Sequence, residues 1–251
     1  MKTRGIVKSI LITGASSGIG KAVSLEMARR GYSLALTARR LELLEALRAE
    51  IIQSHPSVSV EVRALDVTDY DAVSETLRDL ADAIGGLDIV FANAGVGLKE
   101  TIGGGEFENS RRNVEVNLIG AMATVDAAVN YFLERGSGHI VGNCSVAAFR
   151  GMARNGSYGA SKAGFANYLE ALRIEVLEKE IDVTVLYPGF VNTPFLDSSR
   201  TRPFVSSPEK VAALMAGMIE KKVKSSTVPV FPWAIIGRLL RILPVGVISK
   251  M

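Results

Sequence analysis

Short apolar runs alternate along this chain with stretches of helical period, and that alternation leaves few folds open. Residues 6–12, 33–38, 58–65, 87–92, 139–145, 183–187 and 227–231 read as strands. Residues 21–30, 41–53, 70–84, 107–134, 157–179 and 208–222 read as helices. In 41–53, Leu41, Leu44 and Leu47 recur at helical spacing with charges between them. Apolar strands joined through helices belong to a parallel sheet covered on both faces. The expected class is α/β, a doubly wound parallel sheet of about seven strands. No repeat, low-complexity tract or linker divides residues 1–251, so they read as a single domain.

The remaining composition mainly excludes. A lone cysteine, Cys144, permits no disulfide within the chain and is compatible with a reducing, cytoplasmic setting. No stretch offers 18 uninterrupted apolar residues, which argues against a spanning helix. His55 and His139 have no ligand partners at useful spacing, so no metal site is expected. A formal net charge of +3 says little about partners.

The first loop carries more information. Thr13, Gly14, Ala15, Ser16, Ser17, Gly18, Ile19 and Gly20 lie between the first expected strand and helix. Glycines there let the backbone turn tightly against a pyrophosphate, whose charge meets a helix N-terminus. The spacing is GxxxGxG rather than GxGxxG, and a glycine-rich turn alone is weak evidence. At the end of the second strand stand Arg39 and Arg40. An acid at that place holds a ribose 2′-hydroxyl, whereas arginine accommodates a 2′-phosphate, so NADP(H) is expected over NAD(H). Two arginines opening a solvated helix would look the same in sequence.

Tyr158 and Lys162 are spaced i, i+4, so on a helix they share a face. A neighbouring ammonium favours a phenolate, and a fall of roughly 2–3 pKa units would suit the phenol to proton transfer. By itself the pair equally describes an ordinary helix surface.

Further residues change the balance: Asp66 in Leu65-Asp66-Val67-Thr68, Asn93-Ala94-Gly95, Asn117, Ser145, and Pro188-Gly189. With Thr13 to Gly20, Tyr158 and Lys162, in this order and each at the edge of its element, they resemble the short-chain dehydrogenase/reductase family over about residues 6 to 195. The resemblance implies a Rossmann-like fold and hydride transfer between a nicotinamide and a carbonyl or alcohol carbon. It implies that Tyr158 exchanges a proton with the substrate oxygen, while Lys162 lowers the phenol's pKa and bonds the nicotinamide ribose. Ser145 would hydrogen-bond the substrate oxygen, and Asn117 would anchor a water relay to the lysine. Gly14, Ser16, Ser17, Gly18, Ile19, Gly20, Arg39, Arg40, Asp66, Val67, Asn93, Ala94, Gly95, Pro188, Gly189, Val191 and Thr193 fall to the cofactor, with Tyr158 and Lys162. Asp66 also suits a helix start, Asn93 a turn, and Pro188-Gly189 a turn.

Residues 196–207 are polar and read as a mobile substrate loop. Substrate identity is expected there and in Val96-Gly97-Leu98 and Ala147-Ala148-Phe149. Those last two loops hold no charge, which favours a mostly apolar small molecule. Residues 232–251 diverge from familiar relatives, which weakens the alternative of a 3-oxoacyl thioester (acyl-carrier-protein) reductase. On a helix after Pro232, Trp233, Ile236, Leu240 and Leu243 share one face. That face could cover the substrate, dock a second subunit or lie on a membrane; packing into the core is the favoured reading. A homodimer or homotetramer is expected, in the cytoplasm, with peripheral membrane contact through 232–244 as one of the open readings. No nucleic-acid partner is expected, since the basic tail lacks interleaved aromatics. A non-catalytic dinucleotide sensor is the remaining alternative, opposed by Ser145, Tyr158 and Lys162 together.

Overall fold

Alternate residues of the central strands point to opposite faces, and both faces are apolar, so helices must cover both. The computed structural model describes residues 8–196 and 202–248. Its seven strands are β1 (Ser9–Thr13), β2 (Ser33–Ala38), β3 (Val60–Ala64), β4 (Ile89–Ala92), β5 (Ser137–Asn143), β6 (Glu180–Pro188) and β7 (Ser225–Val228). They lie in the order β3-β2-β1-β4-β5-β6-β7, every pair parallel. The chain order reverses direction between β1 and β4, and crevices at such switch points receive ligands.

Ile10, Ile12, Leu34, Leu36 and Phe91 pack on one face against α1 (Gly18–Arg29), α2 (Leu41–Ser54) and α7 (Pro208–Glu220). Leu11, Ala35, Val90 and Ile140 pack on the other, against α3 (Tyr70–Ile84), α5 (Ala121–Arg135) and α6 (Gly156–Glu175). Local chemistry sets the helix ends. Asp69 caps α3 by accepting from the Ala72 N–H, and Gly85, at φ 79°, closes it in the left-handed conformation. Ser207 caps α7, with Pro208 at its first turn.

Two expectations change. The helix expected over 107–134 is α4 (Phe107–Val114), a π-helical turn (Glu115–Gly120) and α5. Hydrophobic period cannot register one widened turn, and such turns cluster at functional sites. By length and composition 107–135 could cross a membrane, yet half of its most apolar window is buried inside the protein. The C-terminal stretch forms α8 (Trp233–Ile242) and α9 (Val245–Ile248). Of the residues expected to form a mobile loop, 197–201 lie outside those described, as do residues 6 and 7 of the first expected strand. Within 202–207, Ser206 is anchored: its N–H donates to the Phe190 carbonyl and its carbonyl accepts from Asn192 N–H, both at 2.9 Å.

Candidate active site

The carboxyl ends of β1, β4 and β5 are joined by side chains. Thr13 Oγ1 accepts the backbone N–H groups of Asn93 and Ala94, each at 3.0 Å. Asn93 donates from Nδ2 to the Thr13 carbonyl (2.8 Å) and accepts from Asn143 Nδ2 (2.8 Å). Asn143 in turn presents its carbonyl to Lys162 Nζ at 2.8 Å. One chain of polar contacts thus runs from the glycine-rich loop to the lysine of α6.

That loop is shaped by absent side chains. Gly14 holds φ 68°, and a Cβ there would lie 2.8 Å from Ala94 Cα; at Gly20 a Cβ would lie 2.3 Å from the Gly14 carbonyl oxygen. Ser17, which precedes α1, makes no capping bond with its side chain, so the first N–H groups of α1 are left to a ligand. Arg40 donates from Nη2 to Ser16 Oγ and Ser17 Oγ, both at 3.1 Å. Arg39 extends into solvent, its Nη1 3.9 Å from Asp66 Oδ2. Asp66 accepts from the Thr68 N–H (3.0 Å), Thr68 Oγ1 (2.8 Å) and Arg112 Nη2 (3.1 Å). Burial would raise its pKa, but those bonds together hold it below the ordinary carboxylate value. A Cβ at Gly18 would touch Thr193 Cγ2 at 3.4 Å, so the 188–193 loop meets the first loop.

A cavity of about 910 Å³ runs from this loop to α8. Among the described residues it is lined by Gly14, Ser16, Ser17, Gly18, Ile19, Gly20, Arg39, Arg40, Asp66, Val67, Asn93, Gly95, Ser145, Tyr158, Lys162, Pro188, Gly189, Val191 and Thr193. Ala94 and Asn117, the other two expected site residues, stand behind that lining. Asn117 is fully buried; its Oδ1 accepts from Val96 N–H and its Nδ2 donates to Val96 O, both at 2.8 Å. The side chain is therefore committed to holding the loop after β4. Gly95 is small because a Cβ would lie 2.9 Å from Asn117 Oδ1.

Ser145 and Tyr158 both face the cavity, and Ser145 Oγ accepts from Ala147 N–H at 3.1 Å. The phenol departs from the sequence expectation. Burial pushes Tyr158 up to about 12, outweighing the opposing influence of the Ser145 hydroxyl. Burial likewise draws Lys162 down to about 8. Lys162 donates to Asn143 O, and burial rather than the lysine's charge governs the phenol.

Several contributors are not evident from the motifs. Glu100 is almost wholly buried and accepts from Ser157 N–H at 2.7 Å, capping α6 one residue before Tyr158. Asn113 clamps Leu98 as Asn117 clamps Val96, and donates to Ser157 Oγ at 2.9 Å. Only its position four residues before Asn117 could have drawn attention to it. Phe195 stands 5.5 Å from Tyr158 between ring centroids, over Gly97, where a Cβ would collide with it.

The expected substrate loops divide. Val96, Gly97 and Ala147 line the cavity, whereas Phe149 packs against Tyr187 (centroids 4.8 Å) and against Gly237 of α8. The apolar face of α8 meets the cavity with Trp233, Ile236, Leu240 and Leu243. A Cβ on Gly189 would fall 2.0 Å from Trp233 Nε1, so the tryptophan sits directly on the Pro188-Gly189 turn. The face does both: Trp233 and Leu240 are buried within the chain, and with Ile236 and Leu243 they line the cavity.

Comparison with known proteins gives concordant results. The short chain dehydrogenase family model matches residues 8–203. An uncharacterized oxidoreductase of Mycobacterium tuberculosis is 39% identical over 239 residues, 94% of each chain. Another, of Myxococcus xanthus, is 38% identical over 241 residues, 94% of this chain and 93% of its own. A short-chain dehydrogenase of Sphingobium yanoikuyae in complex with NADPH superposes with TM-score 0.82 at 28% identity, covering 93% of this chain and 92% of that one. An alcohol dehydrogenase of Thermococcus sibiricus complexed with 5-hydroxy-NADP gives 0.79 at 30%, covering 88% and 94%.

Proposed function

The chain belongs to the short-chain dehydrogenase family, and we propose that it is an NADP(H)-dependent oxidoreductase acting on a carbonyl or secondary alcohol of a mostly apolar small molecule. The observation that carries this reading is the meeting of Ser145, Tyr158 and Lys162 in one cavity with the glycine loop at the start of α1. The side-chain-free cradle at Gly14 and Gly20 and the uncapped first turn of α1 fit a dinucleotide. Bound there, a nicotinamide dinucleotide would supply or accept the hydride.

The chain's own residues do the rest. Arg39 and Arg40 give guanidinium groups for a 2′-phosphate, and no carboxylate other than the paired Asp66 stands beside them among the described lining residues. Ser145 holds the substrate oxygen and stabilises charge developing on it. Tyr158, kept protonated at neutral pH by burial, donates its proton to that oxygen in the reductive direction. Lys162 and Asn143 form the floor beneath the phenol, and Asn117 fixes the loop beside it. Trp233 and the α8 face exclude water from the reacting end.

The test is a panel of steroids, retinoids and aliphatic ketones, read by loss of NADPH absorbance with NADH in parallel. Turnover with at least one apolar carbonyl, faster with NADPH, is expected. No turnover with any carbonyl or reverse-direction alcohol, despite measurable cofactor binding, would leave the dinucleotide-sensor reading in its place.

A further inference from the structure

The uncharged loops after β4 and β5 give way, a few residues later, to a set of cations. Arg150 and Arg154 follow the 3₁₀ turn (Val146–Phe149) on the way to α6, and Arg202 enters from the segment before α7. All three line the cavity that holds Tyr158. None forms an ion pair with a described carboxylate; Arg150 donates from Nη2 to the Leu243 carbonyl (3.2 Å), and Arg202 lies over the Phe190 ring at 4.9 Å. The Nε of Arg202 is buried without any hydrogen-bond acceptor, and so is Nε1 of Trp233 beside it. The single carboxylate among the described lining residues, Asp66, is engaged with Arg112.

Buried cationic donors are ordinarily paired, because removing them from water unpaired is unfavourable. Arg154 is exposed and Arg150 and Arg202 are half-buried, so the unmet requirement falls on Arg202 Nε, a donor in the wall that something in the cavity is left to satisfy. Arg39 and Arg40 serve the cofactor end, whereas Arg150 and Arg154 come from the loop that leads into Tyr158. The geometry points to a substrate that is an anionic amphiphile: its apolar body lies along Trp233, Ile236, Leu240 and Leu243, and its carboxylate or phosphate is held by Arg154 and Arg202, with Arg150 alongside. This rests on the proposed function and narrows its substrate class. A planar guanidinium binds either anion through paired hydrogen bonds, so the two share one chemistry.

The chain's single tryptophan, Trp233, lines the cavity and reports binding by its own fluorescence. Octanoate, octyl phosphate and octan-1-ol are titrated into the cofactor-free protein. At least one of the anions is expected to bind ten or more times tighter than the alcohol, and which one does so identifies the head group. In Arg154→Gly/Arg202→Gln protein that advantage should fall to within about twofold. The single variants, each checked for folding by NADPH binding, should lose part of it. Equal binding of acid and alcohol by the unaltered protein overturns the proposal, as does an anion preference that survives both substitutions. Binding is read here rather than turnover. A protein inactive on every carbonyl therefore still tests the arginines, and an active one lacking anion preference leaves the oxidoreductase reading intact.

Discussion

Asn113 and Asn117 stand four residues apart across the join between α4 and the π-helical turn, and hold alternate residues of one loop. Asn117 bonds both backbone polar groups of Val96, and Asn113 both of Leu98, at 2.7–3.0 Å. Two side-chain amides thus do what a neighbouring strand would do for an extended segment beside the phenol.

Removing one clamp should therefore cost stability. In Asn113→Leu the Leu98 N–H and carbonyl and Ser157 Oγ all lose a partner, which should lower the unfolding free energy by about 2 kcal/mol. Urea denaturation at neutral pH measures it. An unchanged midpoint would mean that water takes over these groups at no cost.

Tyr158→Phe should remove the proton donor and little else. Turnover is expected to fall by roughly 10²–10⁴-fold with NADPH affinity within about twofold of the parent. The unaltered protein should also lose kcat/KM as pH rises through about 8, where Lys162 sheds its proton in the cofactor-free state. A flat profile to pH 9 would show that the ammonium contributes no charge to binding or catalysis.

Arg39→Asp places a carboxylate where the 2′-phosphate is proposed to lie. NADPH should weaken by roughly tenfold or more, and NADH far less, because only the former carries the repelled charge. Equal weakening of both would assign Arg39 to the shape of the loop rather than to the phosphate.

His139 gives the fold an acid-sensitive point. It is buried in β5, and burial pulls its pKa from 6.5 to about 4. Thr184 donates its hydroxyl to the Val223 carbonyl (2.6 Å), so its oxygen accepts from His139 Nε2–H at 2.8 Å, and the ring is neutral. The folded pKa lies below the unfolded one, so unfolded chains bind the proton more readily. The stability present above pH 6.5 is then lost as pH falls towards 4, by up to about 3 kcal/mol. Unfolding free energies between pH 7 and 4 should show this slope, and His139→Gln should flatten it.

The parallel sheet was legible because its central strands are apolar on both faces, a pattern that survives without knowledge of the partner strands. The glycine loop was legible for a similar reason, since close backbone approach admits few residues. Glu100 and Asn113 were not, because an acid and an amide in a polar stretch acquire meaning only when α6 is brought above them. The altered titration of Tyr158 was also out of reach. Spacing placed Lys162 one turn away, but burial and the lysine's choice of Asn143 as acceptor are properties of the packed state. For α8, periodicity identified the apolar face but not what it would meet.

Trp233 resting on Gly189 has a consequence for how such a protein can diversify. One wall of the cavity is delivered by α8, while the phenol, the lysine and the glycine cradle come from elements that precede it. That wall can vary without touching the elements that carry Tyr158 and Lys162. Exchanging 232–251 for the corresponding stretch of another family member should redirect what is reduced while leaving how it is reduced untouched.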